Sequence, residues 1–234
     1  MTNIKICTVV TGANISMFLN NLAAIQEQSN FIELRVDHIQ NLKVNDINII
    51  AQHTHQKAIF TCRHQNEGGN YTGDRGSQLK IIDQAINLKF DYIDIDLKVL
   101  KFKKINNGSS QLIVSHHNFT STTSLAQLTE TLNQMRETQA EIFKIATMVN
   151  NEQDNFTLMK LLLKRSTKEK LIVLGMGEKG KITRILSPLL GAYLTFASTP
   201  NTSSAHGQIY LSELKQIYKL IESQNDKTKF RNAR

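Results

Sequence analysis

The sequence has few of the residues that stiffen or cross-link a protein chain. Its 234 residues include two prolines, two cysteines and no tryptophan. Cys7 and Cys62 both lie in apolar, strand-like runs, where a small buried thiol is the simplest interpretation. The sequence therefore predicts neither a disulfide framework nor a metal site, and its turns must depend on glycine, asparagine, aspartate and serine.

Long apolar runs are also lacking. No segment approaches the roughly 20 apolar residues that span a bilayer, and the opening MTNIKICTVV has neither the apolar stretch nor the cleavage site of a signal peptide. We therefore expect a cytoplasmic protein without a membrane partner. With 40% hydrophobic residues the chain can form one sizeable core. We expect a single domain over residues 1–234, with a frayed basic tail at residues 223–234.

Apart from that tail, the sequence has no concentrated basic segment. The formal net charge is +8, but the lysines and arginines are spread along the chain and interleave with acids. Proteins that bind nucleic acid cluster their basic residues on one face or segment. The charge therefore predicts no nucleic-acid partner and favours an anionic small molecule as the substrate.

What the chain does contain is a regular alternation of strand-like and helix-like segments. The eight strand-like runs are IKICTVV (4–10), FIELRVD (31–37), KAIFTCR (57–63), DYIDID (91–96), QLIVSH (111–116), EIFKIA (141–146), KLIVLG (170–175) and AYLTFA (192–197). Amphipathic stretches such as 123–138 and 154–168 separate most of them. Eight such units without a linker predict an α/β fold, a parallel eight-stranded (β/α)₈ TIM barrel.

Several of these strands carry charged residues with a period of two. The residues that share the polar face of their strand are Glu33, Arg35 and Asp37, then Thr61 and Arg63, then Asp94 and Asp96, and finally Lys144. Exposed faces of an antiparallel sheet, or structural ion pairs, would explain any one strand. A parallel barrel has no solvated face, and burying unpaired charge costs several kcal/mol. The pattern therefore predicts that these groups meet around a cavity that binds a polar, anionic ligand.

Lys144 has a specific chemical use in such a cavity. Desolvation and cations such as Arg35 and Arg63 favour the neutral amine, whereas nearby carboxylates oppose that shift. A neutral amine can attack a ketone or aldehyde to form an imine, which acidifies the adjacent C–H. The chemistry then needs a proton carrier.

The segment SHHNF (115–119) supplies two candidates for the proton carrier, His116 and His117, just beyond the fifth strand. A single histidine in such a place is more often structural than catalytic. Glu67 follows Arg63 closely enough to hold an imidazole in its working tautomer, although spacing alone is weak support for that role.

At this point the sequence resembles a known family. The segments ELRVD, FTCRHQNEGG, YIDID, SHHNF, FKIATM, GMGEKGKITRI, LTFAS and SAHGQI occur in the order and approximate spacing of the type I 3-dehydroquinate dehydratases. The resemblance covers nearly the whole chain. It implies a (β/α)₈ barrel, commonly a homodimer, that converts 3-dehydroquinate to 3-dehydroshikimate by syn elimination in the shikimate pathway, without a metal or organic cofactor.

The resemblance also implies roles for individual residues. Lys144 would form the Schiff base, His117 would be the general acid and base, and Glu67 would orient and tune that histidine. The implied substrate-binding residues are Glu33, Arg35, Arg63, Met176, Arg184, Phe196, Ser204 and Gln208. Arg184 is the choice for the substrate carboxylate, because a guanidinium can bind it with two parallel hydrogen bonds.

The sequence departs from the usual family pattern at three positions. Val149 follows KIATM where proline is common, Thr183 precedes Arg184 where serine is common, and His206 replaces the proline of SAPGQ. Loss of that last proline predicts a more mobile loop over residues 198–208.

Two other functions fit parts of the sequence. A class I aldolase acting on a sugar phosphate would also use a lysine imine, with LGMGEKGK (174–181) as its phosphate loop. A non-catalytic anion- or nucleic-acid-binding protein would explain the basic composition, but would leave the inward charges and Lys144 unexplained.

Overall fold

The computed structural model describes residues 4–100, 105–202, 204 and 207–231, with side chains to residue 223 in the last helix. The strands are β1 Ile6–Val10, β2 Phe31–Arg35, β3 Lys57–Thr61, β4 Tyr92–Asp96, β5 Gln111–Asn118, β6 Ile142–Met148, β7 Lys170–Met176, β8 Thr195–Ser198 and β9 Ile209–Tyr210. The helices are α1 Ile15–Gln26, α2 Val44–His53, α3 Arg75–Asn87, α4 Leu97–Leu100, α5 Leu125–Arg136, α6 Glu152–Leu163, α7 Lys181–Leu189 and α8 Leu211–Arg231.

All strand pairs are parallel, and the sheet order is β7-β6-β5-β4-β3-β2-β1-β8-β9. The ring closes between β7 and β8, where the Tyr193 N–H donates to the Leu171 carbonyl at 2.9 Å. The eight predicted strands are therefore present and the barrel prediction is confirmed. The short β9, which pairs with the end of β8, was not predicted.

The helix predicted over residues 154–168 begins and ends earlier than expected. Asn151 caps α6, because its side chain accepts from the Asp154 N–H while the Asp154 carboxylate accepts from the Asn151 N–H. This reciprocal pair fixes the start at Glu152. The basic residues after Leu163 connect α6 to β7. The backbone of α8 is helical to Arg231, and the frayed tail stays a prediction.

The middle of each strand is largely apolar on both faces, as a parallel sheet requires, although β3, β5 and β7 begin with Lys57, Gln111 and Lys170. The inner core contains Cys7, Val9, Phe31, Ile59, Tyr92, Ile113, Ile142, Ala146, Ile172, Leu174, Met176, Leu194 and Phe196. The opposite strand faces pack against the helices in separate clusters. The buried charged residues of the inner face lie above this floor, toward the C-terminal ends of the strands.

The junction between β7 and α7 is a close backbone approach. The Thr183 hydroxyl accepts from the Gly175 N–H and donates to the Gly180 carbonyl, both at 2.7 Å. The threonine found where serine is usual therefore uses its hydroxyl for two structural hydrogen bonds. These bonds set α7 against the end of β7 and orient the next residue, Arg184, toward the barrel axis.

Val149 also has a structural explanation. Its N–H donates to the Met176 carbonyl at 3.1 Å, which extends the pairing of β6 and β7 beyond the strand ends. A proline at this position could not donate that bond. The departure from the family pattern therefore adds a backbone contact beside Met176.

We predict that Gly180→Ala destabilises the barrel. A methyl group there would lie 2.6 Å from the Gly175 carbonyl carbon, and the backbone at Gly180 has an ordinary φ of −82°, so the effect is purely steric. We expect a loss of about 1–3 kcal/mol in the free energy of unfolding, measured in urea.

The matched control for this prediction is Gly76→Ala. Gly76 lies in the exposed first turn of α3, where an added methyl meets only the Asp74 side chain at 3.0 Å. Alanine is the better helix former, so stability should be unchanged or slightly higher. Equal losses at the two glycines would refute the proposed close approach.

Candidate active site

A pocket opens at the C-terminal ends of the strands, and it collects nearly all of the predicted site residues. Its lining includes Glu33, Arg35, Arg63, His117, Lys144, Met176, Arg184, Phe196, Ser204 and Gln208. Glu67 is the predicted site residue outside this lining, although its neighbour Gly68 belongs to it. The period-two pattern of the sequence therefore identified groups that the barrel does bring together.

Lys144 is buried at the centre of the pocket and is only 6% exposed. Its Nζ donates to Asp94 Oδ2 at 2.8 Å and to Glu33 Oε1 at 3.4 Å. The same nitrogen lies 4.3 Å from the centre of the Phe196 ring. Glu33 is held in turn by the Thr61 hydroxyl, which donates to Oε1 at 3.0 Å. The amine is thus fixed between two carboxylates and an aromatic face.

Asp94 connects the charged groups beneath the pocket. It accepts from the Ser115 hydroxyl at 2.6 Å, and it pairs with Arg63 as well as with Lys144. Burial by itself raises the pKa of Asp94, but the charges of Arg63 and Lys144 outweigh it and hold that pKa well below its usual range. Asp94 is therefore ionised whenever the protein is folded near neutral pH.

His117 lies beside Lys144 because of the register of two adjacent strands. Ser115 pairs with Lys144 and His117 with Ala146, which places the imidazole on the inner face. His116 pairs with Ile145 and points to the opposite face of β5. The strand has not slipped by one residue, and His117 rather than His116 lines the pocket.

The surroundings of His117 favour a neutral imidazole. Burial lowers its pKa, and Arg63 and Lys144 add to that effect, so that the pKa falls to about 3. Its Nδ1 lies 3.8 Å from Asp96 Oδ2, and no hydrogen-bond partner for Nδ1 occurs in the described part of the chain. The ring stacks on Phe119 with centroids 5.7 Å apart.

Glu67 has different contacts from those expected. Its carboxylate pairs with Arg75 and accepts from Gln78 Nε2 at 3.3 Å and from the His64 N–H at 3.4 Å. The carboxylate that faces His117 is that of Asp96 instead. The period-two pattern of the sequence places Asp94 and Asp96 on the polar face of β4 and is the signal that identifies them, although neither is among the predicted site residues.

The three arginines of the pocket differ in how far their charge is already neutralised. Arg35 binds Asp37 with two hydrogen bonds of 2.8 Å, and Arg63 pairs with Asp94 and Asp96.

Arg184, from the first half of α7, is only 2% exposed, and its Nε has no hydrogen-bond partner among the described residues. Burial lowers its pKa to about 10, so the guanidinium remains charged at neutral pH. Arg184 is therefore the pocket cation that can still donate hydrogen bonds to an anionic ligand.

The loop after β8 closes one side of the pocket. The Ser204 N–H donates to Gln208 Oε1 at 3.0 Å, and Gln208 Nε2 donates to the Ser204 hydroxyl at 3.3 Å. The two predicted substrate contacts thus hold each other in the structure. His206 lies outside the described residues, so the predicted mobility of loop 198–208 stays a prediction.

The structure offers less support for a phosphate loop at residues 174–181. The Gly175 N–H is used by Thr183, and the Gly180 N–H donates to the Gly177 carbonyl at 3.0 Å. Backbone donors used in this way are not available to a phosphate. In the described ranges, no group of three or more His, Cys, Asp or Glu side chains is arranged to hold a metal ion, and no helix there has the length and apolar character to cross a membrane.

Comparisons with known proteins identify the family of this chain. The family model for type I 3-dehydroquinase matches residues 6–225. A 3-dehydroquinate dehydratase from Coxiella burnetii (strain RSA 493 / Nine Mile phase I) is 42% identical over 214 residues, which cover 92% of each chain. One from Methanocaldococcus jannaschii is 31% identical over 223 residues, covering 93% of this chain and 99% of that protein.

Solved structures show the same architecture. The crystal structure of the 3-dehydroquinate dehydratase from Geobacillus kaustophilus has a TM-score of 0.83 at 24% identity, covering 95% of this chain and 92% of that one. The enzyme of the same name from Aquifex aeolicus has a TM-score of 0.74 at 26% identity, with coverages of 92% and 98%. The resemblance of the sequence motifs is confirmed: the chain belongs to the type I 3-dehydroquinase family.

Proposed function

We propose that this protein dehydrates 3-dehydroquinate to 3-dehydroshikimate through a Schiff base on Lys144. The observation that carries the proposal is the β5–β6 register, which sets Lys144 and His117 on the same inner face of adjacent strands. Family membership supports the substrate and the reaction class. We further propose a cytoplasmic homodimer of the shikimate pathway that needs no cofactor and has no nucleic-acid or membrane partner.

The first half of the reaction forms the imine. The neutral amine of Lys144 attacks the ketone carbon of the substrate, and the carbonyl oxygen departs as water. Attack requires loss of the ammonium proton, and the carboxylates of Asp94 and Glu33 already accept hydrogen bonds from this nitrogen. The protonated imine is an electron sink, which makes the adjacent C–H acidic.

The second half removes the proton and the hydroxyl group. His117 takes the proton next to the imine and then helps to protonate the departing hydroxyl, which leaves as water. Hydrolysis of the product imine consumes one water and returns Lys144. Because burial and the charges of Arg63 and Lys144 lower the pKa of His117 in the ligand-free site, the imidazole is neutral and has a nitrogen lone pair to accept the proton.

Asp96 is the residue placed to orient the imidazole of His117. Its Oδ1 accepts from the Lys98 N–H at 2.9 Å, which fixes the carboxylate, while Oδ2 faces His117 Nδ1. A small rotation of the ring would convert the 3.8 Å separation to a hydrogen bond when substrate is bound. Glu67, tied to Arg75, can take the role that the family resemblance gives it only if that ion pair opens.

Different pocket residues bind the carboxylate, the hydroxyl groups and the ring of the substrate. Arg184 binds the carboxylate, because its guanidinium is the cation whose hydrogen bonds are least used. The hydroxyls are bound by Glu33, Arg35, Arg63, Ser204 and Gln208, and the ring packs between Met176 and Phe196.

We predict that Lys144→Ala abolishes dehydration but leaves the fold and much of the substrate affinity, because the other pocket residues hold the ligand. Borohydride reduction with 3-dehydroquinate, followed by peptide mass spectrometry, should locate the adduct on Lys144 of the wild type. The control is Lys170→Ala at the opposite end of the barrel, where Nζ donates to Gln111 at 3.0 Å. An adduct on any other lysine contradicts the mechanism.

The two neighbouring histidines give a second prediction. His117→Ala should slow the chemical steps by about two to four orders of magnitude, the range of general acid–base catalysis. His116→Ala, on the other strand face, should have a much smaller effect. Single-turnover kinetics with borohydride quenching would separate imine formation from elimination. If His116→Ala has the larger effect, the inward-facing histidine is misassigned.

The third prediction concerns the substrate carboxylate. Arg184→Lys keeps the charge but loses the planar pair of donors, so affinity should fall, and Arg184→Ala should lower it further. An analogue without the carboxylate should bind the wild type weakly and lose little more in either variant. Calorimetry on both ligands should give a coupling of about 1–3 kcal/mol. Zero coupling would assign the carboxylate to Arg35 or Arg63.

A further inference from the structure

Phe119 lines the pocket but has no role in the proposed reaction so far. It directly follows β5 and, although it is 44% exposed, it borders the pocket together with His117. The two residues are two positions apart, and alternate residues of an extended chain point to the same side. Their rings are nearly parallel, with 9° between the planes and centroids 5.7 Å apart. Offset stacking of this kind is a favoured arrangement of planar rings.

Hydrogen bonding does not fix the His117 ring in the ligand-free site. Its Nδ1 has no hydrogen-bond partner in the part of the chain that the structure describes, and Asp96 Oδ2 lies 3.8 Å away. The χ2 torsion of a histidine has a broad preference, so packing decides where the ring plane lies. A parallel ring on one side opposes rotation, because a turned imidazole would press its edge into the Phe119 ring.

Gly68 supports the Phe119 ring from the loop after β3. A methyl group on Gly68 would overlap atoms of that ring, so the glycine backbone packs closely against it. Gly68 also has a φ of +76°, in the left-handed region that favours glycine. Two independent constraints therefore require glycine here, and both are needed for the loop to reach the ring.

The position of Gly68 is fixed by the residue before it. The Glu67 carboxylate pairs with Arg75 and accepts from Gln78 Nε2 at 3.3 Å. Gln78 is only 1% exposed, and its Nε2 also donates to the carbonyl of Cys62, directly after β3, at 2.8 Å. The loop backbone is thus tied to α3 and to the end of β3, and it offers the ring a firm support.

We propose that Phe119 is a positioning residue that holds the His117 imidazole in the orientation needed for proton transfer, and that Gly68 sets the position of the Phe119 ring. The inference rests on the proposed function, in which His117 moves the protons of the elimination. Proton transfer needs the imidazole nitrogen within hydrogen-bond reach, and a displacement of about 1 Å can cost roughly 100-fold in rate. Imine formation on Lys144 does not use the imidazole in that scheme, so loss of the stack should slow the elimination and spare the imine.

Phe119→Leu tests the stack, because it removes the planar ring but keeps an apolar side chain. We expect kcat to fall by about tenfold to 100-fold with little change in KM. Borohydride trapping in single turnovers should show the imine on Lys144 forming at the wild-type rate. The matched control is Phe156→Leu on α6, where the phenylalanine is 60% exposed, and it should leave both constants unchanged. A higher KM with an unchanged kcat would show that Phe119 binds substrate instead, and would overturn the inference.

Gly68→Ala tests the support of the ring. The added methyl should displace the Phe119 ring and slow the elimination by a similar factor, and it should cost little more in a protein that already carries Phe119→Leu. The control is Gly108→Ala in an exposed turn before β5. Gly108 also has a left-handed φ, of +57°, but a methyl group there meets Ile86 only at 3.4 Å. Equal losses of elimination rate at the two glycines, or full additivity with Phe119→Leu, would contradict the contact.

The motion of the His117 ring can be measured without any reaction. Carbon-13 relaxation of the histidine Cε1 in the ligand-free protein should show a more mobile His117 ring in Phe119→Leu and an unchanged ring in Phe156→Leu. An unchanged ring together with unchanged elimination overturns the positioning role and leaves the proposed reaction intact. A ring that becomes mobile in Phe119→Leu supports the positioning role even if the wild type does not dehydrate 3-dehydroquinate.

Discussion

The neutralisation of buried charge by Asp94 is the interaction on which the pocket depends. An ammonium and a guanidinium are brought together inside a barrel whose floor is apolar, and each would be costly to bury without a partner. Asp94 is shared by Lys144, Arg63 and Ser115. Because one carboxylate contacts two cations, Lys144 can be buried and still line the pocket.

The same balance explains why one pocket cation has no carboxylate partner in the described part of the chain. Arg35 and Arg63 already have carboxylate partners, whereas Arg184 enters the pocket from a helix rather than from a strand. Its position depends on the Thr183 hydroxyl and on the contact of Gly175 with Gly180. A buried guanidinium with an unsatisfied nitrogen is unfavourable in the free protein, and that cost makes the site selective for an anion.

The histidine site differs from the simple expectation from the family. Asp96 faces Nδ1 of His117, while Glu67 is tied to Arg75 and Gln78 in the loop after β3. The carboxylate of Asp96 belongs to a strand and is fixed by a backbone amide, so it is held more rigidly than a loop residue. In the ligand-free site His117, which we propose as the base, is therefore neutral and faces the strand carboxylate of Asp96, while Glu67 is paired with Arg75.

The sequence alone determined the barrel and the inward direction of Lys144, whereas it left His116 and His117 as alternatives and pointed to His117 and Arg184 only through the family resemblance. Strand and helix periods are local properties, and parity along a strand settles which side chains share a face. Only the tertiary structure decided which carboxylate each of these groups faces. Asp94 contacts Lys144 and Asp96 faces His117, whereas Arg184 contacts neither of the two. Those pairings depend on the register between strands that are distant in sequence and on the conformation of loops, and no local pattern encodes either of them.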